Sequence, residues 1–238
     1  MIDLHAHFLP GIDDGAQRSE ESLALLQSAV NQGVTFLAAT PHCTLHDTDD
    51  LNSFLYNREK AAGHVRKAAE EKGQQLPPFL LGAEVYLDND ISKFDNVESL
   101  CIEGTNIMLL EFPTGKITPK TFEWIYELTY RGVHPLIAHL DRYSDWEDKM
   151  EGLADIKVDY QLNASVMLSF FGRRLFTKLY ARHRGFIISS DMHNTKTRPC
   201  NMADAHAAAV KKVGEKEAAA LFGTNAEKLL KDGGCTAF

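Results

Sequence analysis

The chain has 238 residues, 44% of them hydrophobic, and a net charge of -8. That length supports one large core, and the negative balance argues against non-specific binding to nucleic acid or anionic membrane. No apolar run approaches the roughly 20 residues of a membrane span, and no signal peptide is visible because charged, His-rich sequence begins at Asp3. Cys43, Cys101, Cys200 and Cys235 are scattered without a Cys-x-x-Cys, so reduced thiols and a cytoplasmic location are expected.

Strand and helix patterns alternate along the chain. Met1–His5 reads as a short strand. Ser19 reads as an N-cap, with Glu20 and Glu21 in the first turn and Leu23, Leu26 and Val30 on the apolar face. Gly33 ends that helix and Val34–Thr40 is the second strand. A helix over 51–72 leads through Gly73 to strand Phe79–Tyr86, followed by strand Ile107–Phe112. Helix 118–131, strand Val133–His139, helix 144–155, strand Asp159–Asn163 and helix 167–184 come next. Gly185 precedes strand Phe186–Asp191, and two C-terminal helices follow, the last capped by Thr224 or Asn225. About seven strands, mostly separated by helices, predict a parallel α/β fold; the pattern does not separate a barrel from an open doubly wound sheet. No internal linker, repeat or low-complexity tract is visible, so residues 1–238 are expected to form a single domain.

Polar residues recur at the carboxyl ends of these strands, where parallel α/β folds build their sites. His5 and His7 end the first strand, two apart and so on one face. His42 ends the second, Glu84 lies in the third, Glu111 ends the fourth, His139 the fifth, and Asp191 and His193 the last. Each has an ordinary structural reading alone, as a hydrogen-bonded histidine, a salt-bridge partner or a helix cap. Their joint placement points to metal, since a carboxylate such as Glu111 after four apolar residues is costly to bury unpaired. Mixed imidazole and carboxylate donors suit zinc, manganese or iron. More than four donors imply more than one ion, with Glu84 and Glu111 as natural bridges. Such clusters suit phosphoester hydrolysis, generating hydroxide at neutral pH and clamping phosphoryl oxygens. Arg142 and Arg198 fall in loops on the same face and suit bidentate phosphate binding, whereas Arg173 and Arg174 read as a solvated helix face. His46, His64, His134, His183 and His206 read as structural or solvated. A cysteine-phosphatase route is absent, because the residues six positions after Cys43, Cys101 and Cys200 are Asp49, Ile107 and His206 rather than arginine.

Several segments together resemble the PHP (polymerase and histidinol phosphatase) superfamily, and within it the protein-tyrosine phosphatases of bacterial capsule and exopolysaccharide loci. They are Asp3-Leu4-His5-Ala6-His7, Leu9-Pro10-Gly11-Ile12-Asp13-Asp14-Gly15, Thr40-Pro41-His42, Gly82-Ala83-Glu84-Val85-Tyr86, Leu110-Glu111-Phe112, Ile137-Ala138-His139 with Arg142-Tyr143, and Ser190-Asp191-Met192-His193-Asn194 with Arg198-Pro199. The resemblance implies a distorted (β/α)7 barrel with two or three divalent ions, commonly manganese, with iron and zinc as alternatives. It implies metal ligands at His5, His7, Asp14, His42, Glu84, Glu111, His139, Asp191 and His193, with Asp13 the adjacent alternative to Asp14. It places phosphate on Arg142 and Arg198. It further implies a phosphotyrosyl protein substrate, an autophosphorylated bacterial tyrosine kinase controlling capsular or exopolysaccharide synthesis. Leu140-Asp141 stands where that branch often has Pro-Glu. The competing expectations are a small-molecule phosphoesterase such as a histidinol-phosphate phosphatase, and a metal-stabilised binding module.

Overall fold

The computed structural model describes residues 1–113 and 117–236. Among the described residues nine parallel strands are present: β1 (Ile2–Ala6), β2 (Phe36–Ala39), β3 (His42–Cys43), β4 (Phe79–Leu81), β5 (Glu84–Tyr86), β6 (Ile107–Glu111), β7 (His134–Ile137), β8 (Asp159–Asn163) and β9 (Ile187–Ser189). The helices are α1 (Ser19–Asn31), α2 (Thr48–Lys72), α3 (Pro119–Tyr130), α4 (Trp146–Gly152), α5 (Phe170–Arg182), α6 (Met202–Val213), α7 (Glu215–Ala219) and α8 (Asn225–Asp232).

The nine strands are seven in space. β2 and β3 are one strand interrupted at Thr40-Pro41, where proline has no N–H for the ladder. β4 and β5 are likewise interrupted at Gly82-Ala83. The two breaks lie side by side, so Ala39 pairs with Leu81 before them and His42 with Glu84 after them in unchanged register. The order β1, β2/β3, β4/β5, β6, β7, β8, β9 returns to β1. Ala6 bridges Met192 in parallel, the His7 N–H donates to the Met192 carbonyl at 2.9 Å and the Asp191 N–H to the His5 carbonyl at 2.9 Å. Lower on this seam, side chains replace the ladder: Ser189 Oγ accepts from the Leu4 N–H and Asp3 Oδ1 from the Ser190 N–H. This irregular closure is the distortion of the barrel, and it leaves those buried backbone donors paired.

Strand alternation sorts the apolar residues into two layers. Ile2, Leu4, Phe36, Ala38, Ile107, Leu109, Leu136 and Ile187 cluster with Ala226, Leu229 and Leu230 of α8, so the last helix closes the end where the strands begin. Their neighbours Leu37, Met108, Leu110, Ile137 and Ile188 pack with the surrounding helices.

Several local expectations change. Ser19 is the first residue of α1, and its cap is Arg18, which makes no side-chain capping bond. Val30 is 42% exposed, and Leu25 and Ala29 join Leu23 and Leu26 on the buried face. α2 begins earlier than expected because Asp47 caps it, accepting from the Asp50 N–H at 2.8 Å. The two expected C-terminal helical segments are α6 and a continuous run in which a wide turn joins α7 to α8, so Thr224 is helical rather than a cap.

Candidate metal centre

All nine expected ligands meet at the mouth where the strands end. The chain achieves this partly through backbone that few side chains adopt. His139 has φ +31° and Asp191 φ +53°, both just beyond the last ladder residue of their strands. Such left-handed residues cost about 1 kcal/mol or more and persist where surrounding structure holds them. Gly15 serves the same end: a Cβ there would lie 2.1 Å from the His7 carbonyl oxygen, so the Asp13-Asp14-Gly15 loop can lie against His7 only with glycine.

The imidazoles are oriented from behind. His5 Nδ1–H donates to Gln161 Oε1 at 3.1 Å, and that oxygen also accepts from the His139 N–H at 2.6 Å. His7 Nδ1–H donates to Asp13 Oδ2 at 2.7 Å, and His193 Nδ1–H to the Asp191 carbonyl at 3.0 Å. In each case Nε2 is left for the centre, the arrangement that metal-binding histidines use. Asp13 and Asp14 therefore separate. Asp13 is occupied by His7 and by the Gly15 and His42 N–H groups. Asp14 Oδ1 instead faces His193 Nε2 at 3.2 Å and His42 Nε2 at 3.4 Å.

Around the centre, Glu84 Oε2 lies 3.2 Å from both His5 Nε2 and His7 Nε2, and 2.9 Å from His42 Nδ1. Glu84 Oε1 is 2.7 Å from His139 Nε2, and Glu111 Oε1 is 3.4 Å from the same atom. Asp191 Oδ1 is 3.4 Å from His5 Nε2 and 3.5 Å from His7 Nε2. Three overlapping groups each bring donor atoms within 4.8 Å of one another: His7, Asp14, His42 and His193; His5, His7 and Glu84; and His42, Glu84 and Glu111.

The residues fit metal on their own terms. Glu84 Oε2, Asp191 Oδ1 and His193 Nε2 are buried with no hydrogen bond of acceptable geometry, although neighbours lie close. Leaving such atoms unsatisfied is expensive, and a cation removes the cost. The electrostatics make the same demand. Burial disfavours charge on His5, but Glu84 and Asp191 overcome it and raise the imidazole to about 10. Burial likewise opposes charge on Glu84 and Asp191, yet the imidazoles around them hold Glu84 well below the carboxylate range and Asp191 at about 2. Burial and the neighbouring His7 push His193 down to about 4, which keeps it neutral. The buried carboxylates thus draw positive charge onto the imidazoles beside them, a demand that bound cations would meet.

Both arginines reach this mouth. Arg198 Nη2 donates to Asp191 Oδ2 at 2.7 Å, and Arg142 Nη1 lies 3.9 Å from the same oxygen. Burial pushes Cys43, Cys101 and Cys200 up to about 12, so none of these thiols is a ready nucleophile.

Sequence reasoning missed the supporting residues. Gln161 and Asn163 both alternate inward along β8, and Asn163 Nδ2 donates to Asp191 Oδ2 at 2.7 Å. Two amides two residues apart, and so on one face of a strand, were the available signal. Asp141 accepts from the Asn163 N–H at 2.8 Å, which ties the turn after His139 to β8.

The family described as capsular polysaccharide synthesis, CpsB/CapC, matches residues 1–231. The chain belongs to this family. It is 31% identical over 247 residues to the tyrosine-protein phosphatase CpsB of Streptococcus pneumoniae, covering 98% of this chain and 99% of the relative. It is 29% identical over 245 residues to the tyrosine-protein phosphatase YwqE of Bacillus subtilis, covering 98% and 92%. A solved structure from work on YwqE of Bacillus subtilis and CpsB of Streptococcus pneumoniae, described as unique metal-dependent tyrosine phosphatases, aligns with TM-score 0.81 at 26% identity, over 98% of this chain and 95% of that one. The family's fold is therefore the fold described above. Among the described residues of this family member, no helix is long and apolar enough to cross a membrane.

Proposed function

We propose that this chain is a metal-dependent protein-tyrosine phosphatase, with residues 1–238 forming one phosphoesterase domain that works in the cytoplasm. The observation that carries the reading is the set of buried, unsatisfied donors on Glu84, Asp191 and His193 beside two arginines, in a chain whose full-length relatives are named tyrosine-protein phosphatases. His5, His7, Asp14, His42, Glu84, Glu111, His139, Asp191 and His193 would hold two or three divalent ions, manganese first among them and iron or zinc as alternatives. Glu84, with one oxygen on His139 and the other facing His5, His7 and His42, is the natural bridge. Bound there, the ions would lower the pKa of water and neutralise phosphoryl charge.

The chain supplies positioning. Gln161, Asp13 and the Asp191 carbonyl fix the imidazole tautomers. Arg142 and Arg198 stand at the mouth to hold non-bridging phosphoryl oxygens through charge-assisted hydrogen bonds that strengthen as charge develops. The leaving group is a tyrosine phenol of pKa about 10, acidic enough to depart with little protonation. The substrate fits a phosphotyrosyl protein, and we assign it to an autophosphorylated bacterial tyrosine kinase acting in capsule or exopolysaccharide synthesis. The histidinol-phosphate reading is not favoured by relatives with these names.

The test pairs metal analysis with turnover of a phosphotyrosyl peptide and of histidinol phosphate. Bound divalent metal, peptide turnover lost to a chelator and restored by manganese, and indifference to thiol alkylation are expected. Preference for histidinol phosphate, or inactivation by alkylation with no effect of chelator, would overturn the assignment.

A further inference from the structure

α5 differs from the rest of this acidic chain. Its sequence carries Arg173, Arg174, Lys178 and Arg182 and no acidic residue, although the chain has 33 acidic and 25 basic residues. At its start Phe170 and Phe171 are 70% and 80% exposed, with rings 5.7 Å apart, and Leu168 beside them is 42% exposed. The helix does not need these rings for anchorage, since Phe176 and Leu179 are its buried residues. Phe170, Arg174, Thr177, Lys178 and Ala181 follow helical spacing and form one stripe. With Arg173 and Lys212 of α6 they line an open concavity of about 650 Å³.

The start of this helix lies near the mouth. α5 begins one short turn after Asn163, the residue that binds Asp191. It also packs against the turn that carries Arg142. A phosphotyrosyl side chain at Arg142 and Arg198 would therefore bring its own flanking chain over Phe170 and Phe171 and toward Arg174, Lys178 and Lys212. Two apolar rings followed by cations complement a chain that is apolar next to the phosphotyrosine and anionic beyond it.

We propose that the exposed α5 face and its groove with α6 form a docking surface for the acidic segment flanking the phosphotyrosine of a protein substrate. The inference rests on the tyrosine-phosphatase reading and adds to it the selection among phosphotyrosyl sequences. Phe170 and Phe171 cover the apolar part of that segment, and Arg174, Lys178 and Lys212 meet its carboxylates or further phosphates. Steering of this kind acts mainly on encounter and weakens with salt.

The experiment uses metal-loaded protein as wild type, as Phe170→Ser with Phe171→Ser, and as Arg174→Glu with Lys178→Glu. Substrates are p-nitrophenyl phosphate, a phosphotyrosyl peptide with acidic flanks, and the same peptide with the acids changed to amides. All three proteins should turn over p-nitrophenyl phosphate equally. Wild type should favour the acidic peptide, and the charge variant should lose about tenfold in kcat/KM on it through KM, with little change on the amide peptide. The preference should shrink in high salt. Equal use of both peptides by wild type would overturn the surface and leave the phosphatase reading standing. So would unchanged peptide kinetics in variants whose oligomeric state by sedimentation had changed, which would give the face to a second copy. A loss on p-nitrophenyl phosphate as large as on peptide would make α5 structural and also overturn it. Turnover of p-nitrophenyl phosphate without any phosphotyrosyl peptide would sink both readings and place the fault in the reaction.

Discussion

The barrel presents two ends built from the same strands. Where the strands begin, Ile2, Leu4, Phe36 and Ile107 pack against Ala226, Leu229 and Leu230 of α8, and the interior is closed with apolar side chains. That end also holds a histidine and an aspartate, but His134 Nε2 sits 2.7 Å from Asp159 Oδ2 and both groups are paired. Where the strands end, His5, His7, Glu84, His139, Asp191 and His193 are more deeply buried, and oxygens of Glu84 and Asp191 are left unsatisfied. Residue type alone does not distinguish a site from a structural pair. Unmet demand for positive charge does: the mouth gathers unsatisfied atoms of Glu84, Asp191 and His193 at one point, whereas His134 and Asp159 satisfy each other.

The largest expected contrast comes from removing Glu84. Glu84→Ala should lose metal and at least about a thousand-fold in turnover, because the carboxylate faces four imidazoles and water activation at neutral pH depends on the ions. Metal analysis and steady-state kinetics on one preparation check this, and full occupancy with normal rate would erase the difference between the two ends.

Arg142→Ala should keep its metal and its fold while losing about 2–4 kcal/mol of transition-state stabilisation, roughly 30- to 1,000-fold in rate. Arg142→Lys should recover only part, since lysine offers a point charge in place of a fork. A variant that lost its ions would show that Arg142 belongs to the metal cluster and not to phosphate.

The floor should answer in a different measure. Leu230→Ala in α8 should cost about 2–5 kcal/mol of stability, read by denaturant unfolding, with metal content and room-temperature kinetics unchanged. Lost metal in that variant would mean the two ends are coupled.

A smaller effect concerns the metal-free protein. His5 is raised to about 10 by Glu84 and Asp191 against burial, above its ordinary value near 6.5. The folded state therefore holds the proton more tightly than the unfolded one. This contribution is complete below about pH 6.5 and is lost as pH rises through about 10. Thermal unfolding of chelated protein should show a falling Tm across that window, and manganese-loaded protein should not. A flat profile after chelation would mean that His5 does not take the cations' place between the two carboxylates.

Much of this was written in the chain itself. Runs such as Ile107–Leu110 and Phe186–Ile188, set between helical segments, read as buried parallel strands, and the polar residues at their carboxyl ends are then placed at one face by the fold class. That local rule brought His5, His7, His42, Glu84, Glu111, His139, Asp191 and His193 together, with Arg142 and Arg198 in loops on the same face, and motif resemblance added Asp14. The sequence could not decide between barrel and open sheet, because closure depends on bonds between residues far apart: His5 and His7 with Asp191 and Met192, and Asp3 with Ser190. Nor could it separate Asp13 from Asp14. Adjacent carboxylates look alike until the turn at Gly15 points one at His7 and the other toward His42 and His193. Gln161 and Asn163 became visible only in three dimensions, since an amide's role is set by what lies across the barrel from it. Short-range periodicity determines which face a residue takes. Long-range packing determines which residues share that face and which of their polar atoms are left without a partner.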